Sequence, residues 1–120
     1  MTLGEILGYV DFYFEKDEET GNLFIYDYSD SEFEEKAETV YDALDIVSGH
    51  LQSEAYGLVE WISEETNEAV VSTSGWTWAD YADWIKSRLP NLPADMKNSC
   101  QFAVDVFTAL DDPKTIDVRE

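Results

Sequence analysis

Basic side chains are scarce in this chain. Seven lysines and arginines stand against 27 aspartates and glutamates in 120 residues, and the formal net charge is −20. Direct nucleic-acid binding is excluded on that ground, because such affinity rests on neutralising phosphates with Lys and Arg. Anionic lipid surfaces would repel the chain for the same reason. Cysteine and histidine occur once each, as Cys100 and His50. No internal disulfide can form, and a zinc site built on a Cys/His cluster cannot be assembled. The lone thiol points to a reducing compartment. There is neither a basic leader nor an apolar run of about 18 residues, so no membrane span or secretion is expected, and the cytoplasm is the default location.

Catalytic signatures are equally thin. Gly4-Glu-Ile-Leu-Gly8 lacks the spacing and the following Lys of a phosphate-binding loop. His50 follows Gly49 at an expected helix C-terminus, where an imidazolium suits the dipole, and Cys100 falls on an apolar helical stripe, where a small hydrophobe is wanted. Asp27, Ser29, Ser31 and Glu38 imitate ligand positions of an EF-hand loop, but Glu32 stands where the sharp turn requires Gly. With 27 acids any carboxylate pair is uninformative. No catalytic residue, metal or cofactor is expected, and the chain does not read as an enzyme.

What is present is a foldable core. The hydrophobic fraction is 44% and 17 residues are aromatic, which sets the chain apart from disordered acidic segments. Its length suits one domain, residues 1–120. Val10, Phe12 and Phe14 alternate in the 7–15 segment, and 22–28 is again aromatic and β-branched, so the two read as a β-hairpin around 16–21. A capping box of Thr2 and Glu5, with Leu3, Ile6, Leu7, Val10 and Phe14 at helical spacing, competes with that reading. Gly4, Gly8 and the aromatic density favour a short turn followed by a strand.

Phe33, Ala37, Val40, Leu44, Val47 and Leu51 step by 4, 3, 4, 3, 4 and predict a helix over 31–51, capped by Asp30 or Ser31. Residues 56–62 and 68–73 predict a second hairpin. Thr77 caps a helix bearing Trp78, Tyr81, Ala82, Ile85 and Leu89, which Pro90 stops. Pro93 begins a last helix with Met96, Cys100, Ala103, Phe107 and Leu110 on one face, ended by Asp111-Asp112-Pro113. The expectation is α+β: a small antiparallel sheet from two hairpins with three helices, in the order ββαββαα.

The acids cluster along the sequence. Residues 1–68 carry a net −17 and residues 69–120 a net −3. Glu34, Glu35, Glu38, Asp42 and Asp45 fall opposite the apolar stripe of the first predicted helix and would form a carboxylate row. Hairpin loops add Glu15, Asp17, Glu18 and Glu19, then Glu64, Glu65 and Glu68, while Asp27, Asp30 and Glu32 line the approach to the helix. Tyr26, Tyr28 and Tyr41 offer aromatic anchors among them. Such an array presents anionic acceptors to Arg and Lys clusters built for phosphates.

In composition and size, over its whole length, the chain resembles DNA-mimic proteins, the small acidic inhibitors that phages and mobile elements direct against restriction or CRISPR nucleases. The resemblance implies anti-restriction or anti-CRISPR inhibition in a host cytoplasm, with a basic nuclease, or its complex, as partner. An immunity or antitoxin protein against a toxin nuclease shares the physics. A plain acidic scaffold or a halophilic surface is the bland reading, against which the charge asymmetry argues. The weakly charged C-terminal half, with Trp84 and Phe102 off its main stripes, offers an apolar face for a homodimer.

Overall fold

The computed structural model describes residues 1–119. It is α+β: a three-stranded antiparallel sheet and four α-helices, in the order α1 (Leu3–Tyr9), β1 (Phe12–Lys16), β2 (Leu23–Asp27), β3 (Asp30–Ala37), α2 (Val40–Glu65), α3 (Trp78–Arg88) and α4 (Ala94–Asp111). The chain falls into two compact units, one made of Met1–Leu51 with the segment from Pro113 onward, the other of Gln52–Asp112.

In the first unit the capping box forms. Glu5 N–H donates to Thr2 Oγ1, Thr2 N–H donates to Glu5 Oε1, and α1 follows for two turns before Asp11 takes a left-handed φ of 63°. The helical reading thus holds for seven residues and the strand reading after them. β1 and β2 pair with Phe12 opposite Asp27 and Lys16 opposite Leu23, and Gly21 at φ 76° closes the turn between them. Alternation buries Phe12, Phe14, Leu23 and Ile25 and turns Tyr13, Glu15, Phe24 and Tyr26 outward. Near the C-terminus Asp117 joins the sheetless N-terminus through a bridge to Thr2, with Leu3 N–H donating to its carbonyl at 2.8 Å.

Four expectations fail here. Residues 31–37 are not the start of a helix; they form β3, which pairs with β2. Phe33 and Ala37 are four apart, a spacing that puts them on one face of a helix or of a strand alike. The cap is Thr39, not Asp30 or Ser31: Asp42 N–H donates to its hydroxyl at 3.2 Å and Ala43 N–H to its carbonyl at 3.1 Å. The second hairpin is also absent. α2 continues through 56–62 to Glu65, because Leu51, Ala55, Val59 and Ile62 extend the Val40–Val47 stripe and are all fully buried. Residues 68–73 have no regular secondary structure, and His50 lies within α2 rather than at its end.

The second unit is helical. α2 ends where Asn67 adopts φ 58°, a residue tolerant of the left-handed region, and Glu68 N–H donates to Ser63 O at 2.8 Å. Thr77 caps α3 with Asp80 as its reciprocal partner. α3 packs on α4 through rings: Trp78 stacks on Phe107 at 5.3 Å and Tyr81 lies 5.9 Å from the same ring. Met96, Cys100, Ala103, Phe107 and Leu110 are buried, as their spacing predicts. Trp84 and Phe102 are only half-exposed. The Arg88 guanidinium lies 3.9 Å over the Trp84 ring, so the apolar face expected to serve a homodimer is partly occupied from within.

Candidate functional site

The strand register collects one set of side chains that the sequence pattern scattered. Tyr13 on β1 is opposite Tyr26 on β2, which is opposite Glu34 on β3, so the three form a row across the outer sheet face. The next row on that face is Glu15, Phe24 and Lys36. Tyr13 and Tyr26 stack with centroids 5.1 Å apart, and Tyr28 closes on Tyr13 at 4.5 Å. Tyr26 Oη donates to Glu34 Oε1 at 3.1 Å. Partial desolvation, that hydrogen bond, and the charges of Glu34 and Glu15 together raise the Tyr26 phenol above its ordinary value. Tyr28 is 70% exposed.

The remaining acids sort by what holds them. Asp17, Asp27 and Asp30 serve turns. Asp17 accepts from Glu19 N–H, Asp27 from Ser29 N–H and hydroxyl, and Asp30 from Glu32 N–H. Those bonds hold the Asp17 and Asp27 carboxyls below their ordinary value. Short polar side chains that cap their own backbone two residues on are turn formers first. Glu18, Glu19 and Glu32 are exposed. The predicted helical row does not exist: Glu34 is on the outer sheet face, Glu35 lies opposite Ile25 on the other face, and Glu38 precedes α2. Only Asp42 and Asp45 are on a helix, exposed together with Tyr41 on its first turns. Glu64 and Glu65 sit on the last turn of α2, not in a hairpin loop, and belong to the second unit.

Glu68 is committed elsewhere. Arg88 Nε and Nη2 donate to its two oxygens at 2.9 and 3.1 Å, and Thr66 Oγ1 donates at 2.6 Å, which together hold its carboxyl below the usual value. Counted by compact unit, the charge is −12 in the first and −8 in the second. The sharper −17 to −3 split belongs to the linear sequence alone and no longer argues against a uniform acidic coat. The acids along β3 have a structural use as well, since charged side chains on an edge strand discourage pairing with other chains.

Nothing catalytic emerges around the two residues that sequence singled out. Cys100 is fully buried and desolvation raises its thiol pKa, the opposite of what a nucleophile needs. His50 rests against Phe12 with ring centroids 5.0 Å apart. Among the described residues no group of three His, Cys, Asp or Glu side chains is placed to hold a metal ion, and no helix is long and apolar enough to cross a membrane. Glu15, expected in the first hairpin loop, lies on β1, and its sheet partners Tyr13 and Phe24 were not among the expected site residues, although the alternation that sends Phe12 and Phe14 inward sends Tyr13 outward. Comparison with known proteins finds no match, whether to a family model, a curated protein or a solved structure.

Proposed function

We propose that this chain is a non-catalytic acidic inhibitor that occupies the nucleic-acid-binding groove of a basic protein, a defence nuclease or its complex, in the cytoplasm of a host invaded by a phage or mobile element. One observation carries the reading: half-buried Tyr13 and Tyr26 stack on a sheet face with exposed Tyr28 against them, beside the carboxylates of Glu34 and Glu15. A coat that serves solubility alone needs charge but gains nothing from a partly exposed aromatic cluster, whereas an interface needs both. Aromatic rings supply contact area at small entropic cost, and carboxylates supply acceptors for cationic side chains. The overall charge of −20 would speed encounter with a cationic groove and make the rate fall with salt.

Capture from lysate at low and at high salt tests the reading. The expected prey is a nucleic-acid-binding protein with a basic groove, retained at low salt and released at high salt. A cognate toxin nuclease as the sole prey would support the immunity reading instead, and no salt-sensitive prey would leave the plain acidic scaffold.

A further inference from the structure

The chain contains its own example of how it holds a guanidinium. Arg88 lies 3.9 Å over the Trp84 ring while two of its nitrogens bond both oxygens of Glu68. An aromatic face beside a carboxylate satisfies the flat, weakly hydrated cation on its face and on its edge. The outer sheet face repeats those two components without an arginine; Lys36, in the row of Glu15 and Phe24, lies on the far strand from Glu15. Tyr13, Tyr26 and Tyr28 form a contiguous ring cluster, with Glu34 bonded to one of them and Glu15 on the adjoining row. The chain's two arginines are both engaged elsewhere, Arg88 with Glu68 and Arg119 with Asp117.

We propose that the outer face of the β1–β2–β3 sheet is an arginine-docking surface, on which guanidinium groups of a basic protein partner lie against Tyr13, Tyr26 and Tyr28 and pair with Glu34 and Glu15. The inference rests on the reading that the partner is basic, and names the side chain that is recognised. Charge complementarity selects this occupant. A second copy would bring a like charge of −20 to the same carboxylates, and a nucleic-acid strand, though able to stack its bases on tyrosine, would bring phosphates to them. Lysine fits less well than arginine, since its compact ammonium is strongly hydrated and cannot bridge ring and carboxylate as a plane does.

The test uses the full chain and two labelled peptides of equal charge, octa-arginine and octa-lysine, with affinities read by fluorescence anisotropy. The wild type is expected to prefer octa-arginine by about fivefold, the scale of an exposed cation–π contact. Tyr28→Ser, at a side chain 70% exposed, and Tyr13→Ser/Tyr28→Ser should remove the preference and leave charge-driven binding of both peptides. Glu54→Gln/Glu60→Gln on α2 should weaken both peptides alike and keep the ratio. Equal affinities in the wild type, or a ratio unchanged in Tyr28→Ser, overturns the proposal. So does concentration-dependent dimerisation that Tyr28→Ser abolishes, since a second copy would then cover the face. The two claims fail separately. A captured nuclease inhibited equally by wild type and Tyr13→Ser/Tyr28→Ser removes the docking face and leaves mimicry standing. An arginine preference without any competition against DNA does the reverse.

Discussion

Replacing Gly49 and Gly57 by alanine probes the feature that most separates the fold from its sequence pattern, the unbroken course of α2 over Val40–Glu65. Both glycines are interior to the helix, and a Cβ built at either position meets no heavy atom within 4 Å beyond its chain neighbours and the helix's own adjoining backbone. The substitution therefore adds no clash and removes the backbone freedom that glycine loses on folding, a gain of about 0.5–1 kcal/mol per site. Eight residues separate them, roughly 12 Å along the axis, so the two gains should add to about 1–2 kcal/mol. With an unfolding entropy of about 2.1 cal/mol/K per residue, a chain of 120 residues should gain about 4–8 °C in Tm. The assay is thermal denaturation followed by circular dichroism at 222 nm. Gly21→Ala is the internal contrast. Its φ of 76° is left-handed, so the same chemical change should cost about 1–2 kcal/mol there. A lower Tm for Gly49→Ala or Gly57→Ala would refute the continuous helix, as would a gain for Gly21→Ala equal to theirs.

Thr39→Ala should cost about 1 kcal/mol by removing the α2 cap, while Ser31→Ala on the exposed strand β3 should change the unfolding free energy by less than about 0.5 kcal/mol, as denaturant titration would register. Raising salt from about 0.05 to 1 M should increase Tm, because screening relieves self-repulsion at −20; a flat response would mean that repulsion does not act on the fold. Arg88 and Thr66 hold Glu68 below its ordinary 4.5, so the contribution of that contact is complete above 4.5 and is lost as pH falls beneath it. Arg88→Met should accordingly show a smaller acid-side loss of Tm than the wild type in a pH series. The contact between Arg119 and Asp117 should outlast it, since Asp117 is lowered from 3.8 to about 2; loss of that contact above pH 4, read from the Asp117 carboxyl shift in NMR, would contradict the assigned pairing.

The sequence made most of the second unit legible. The stripes of α3 and α4, the Thr77 cap and the stop at Asp111-Asp112-Pro113 all stand, because long helices with one apolar face leave a periodic record that no other element imitates. The stretch from Asp30 to Thr73 was harder for two physical reasons. Phe33 and Ala37 satisfy helix and strand spacing equally, so the only cue to the boundary was Thr39, one hydroxyl among several. Gly49 and Gly57 are weak helix formers, and the aromatic and β-branched residues around 56–62 favour strands, yet the buried row Leu51–Ala55–Val59–Ile62 outweighs both preferences. The acidic character of the candidate surface was visible from composition, but its arrangement was not. Cross-strand neighbours such as Tyr13, Tyr26 and Glu34 are set by register, and register had no determinant in the pattern once β3 was read as helix.

The proposed inhibition requires carboxylates of this chain to take the place of nucleic-acid phosphates in a partner's groove. The most direct measurement is competition between the protein and a labelled DNA duplex for the captured nuclease, at two salt concentrations. Mimicry requires mutually exclusive binding, displacement that weakens as salt rises, and a larger loss for Glu15→Gln/Glu34→Gln on the sheet than for the charge-matched Glu54→Gln/Glu60→Gln on α2. A ternary complex in which the nuclease holds the duplex and the protein together would contradict it.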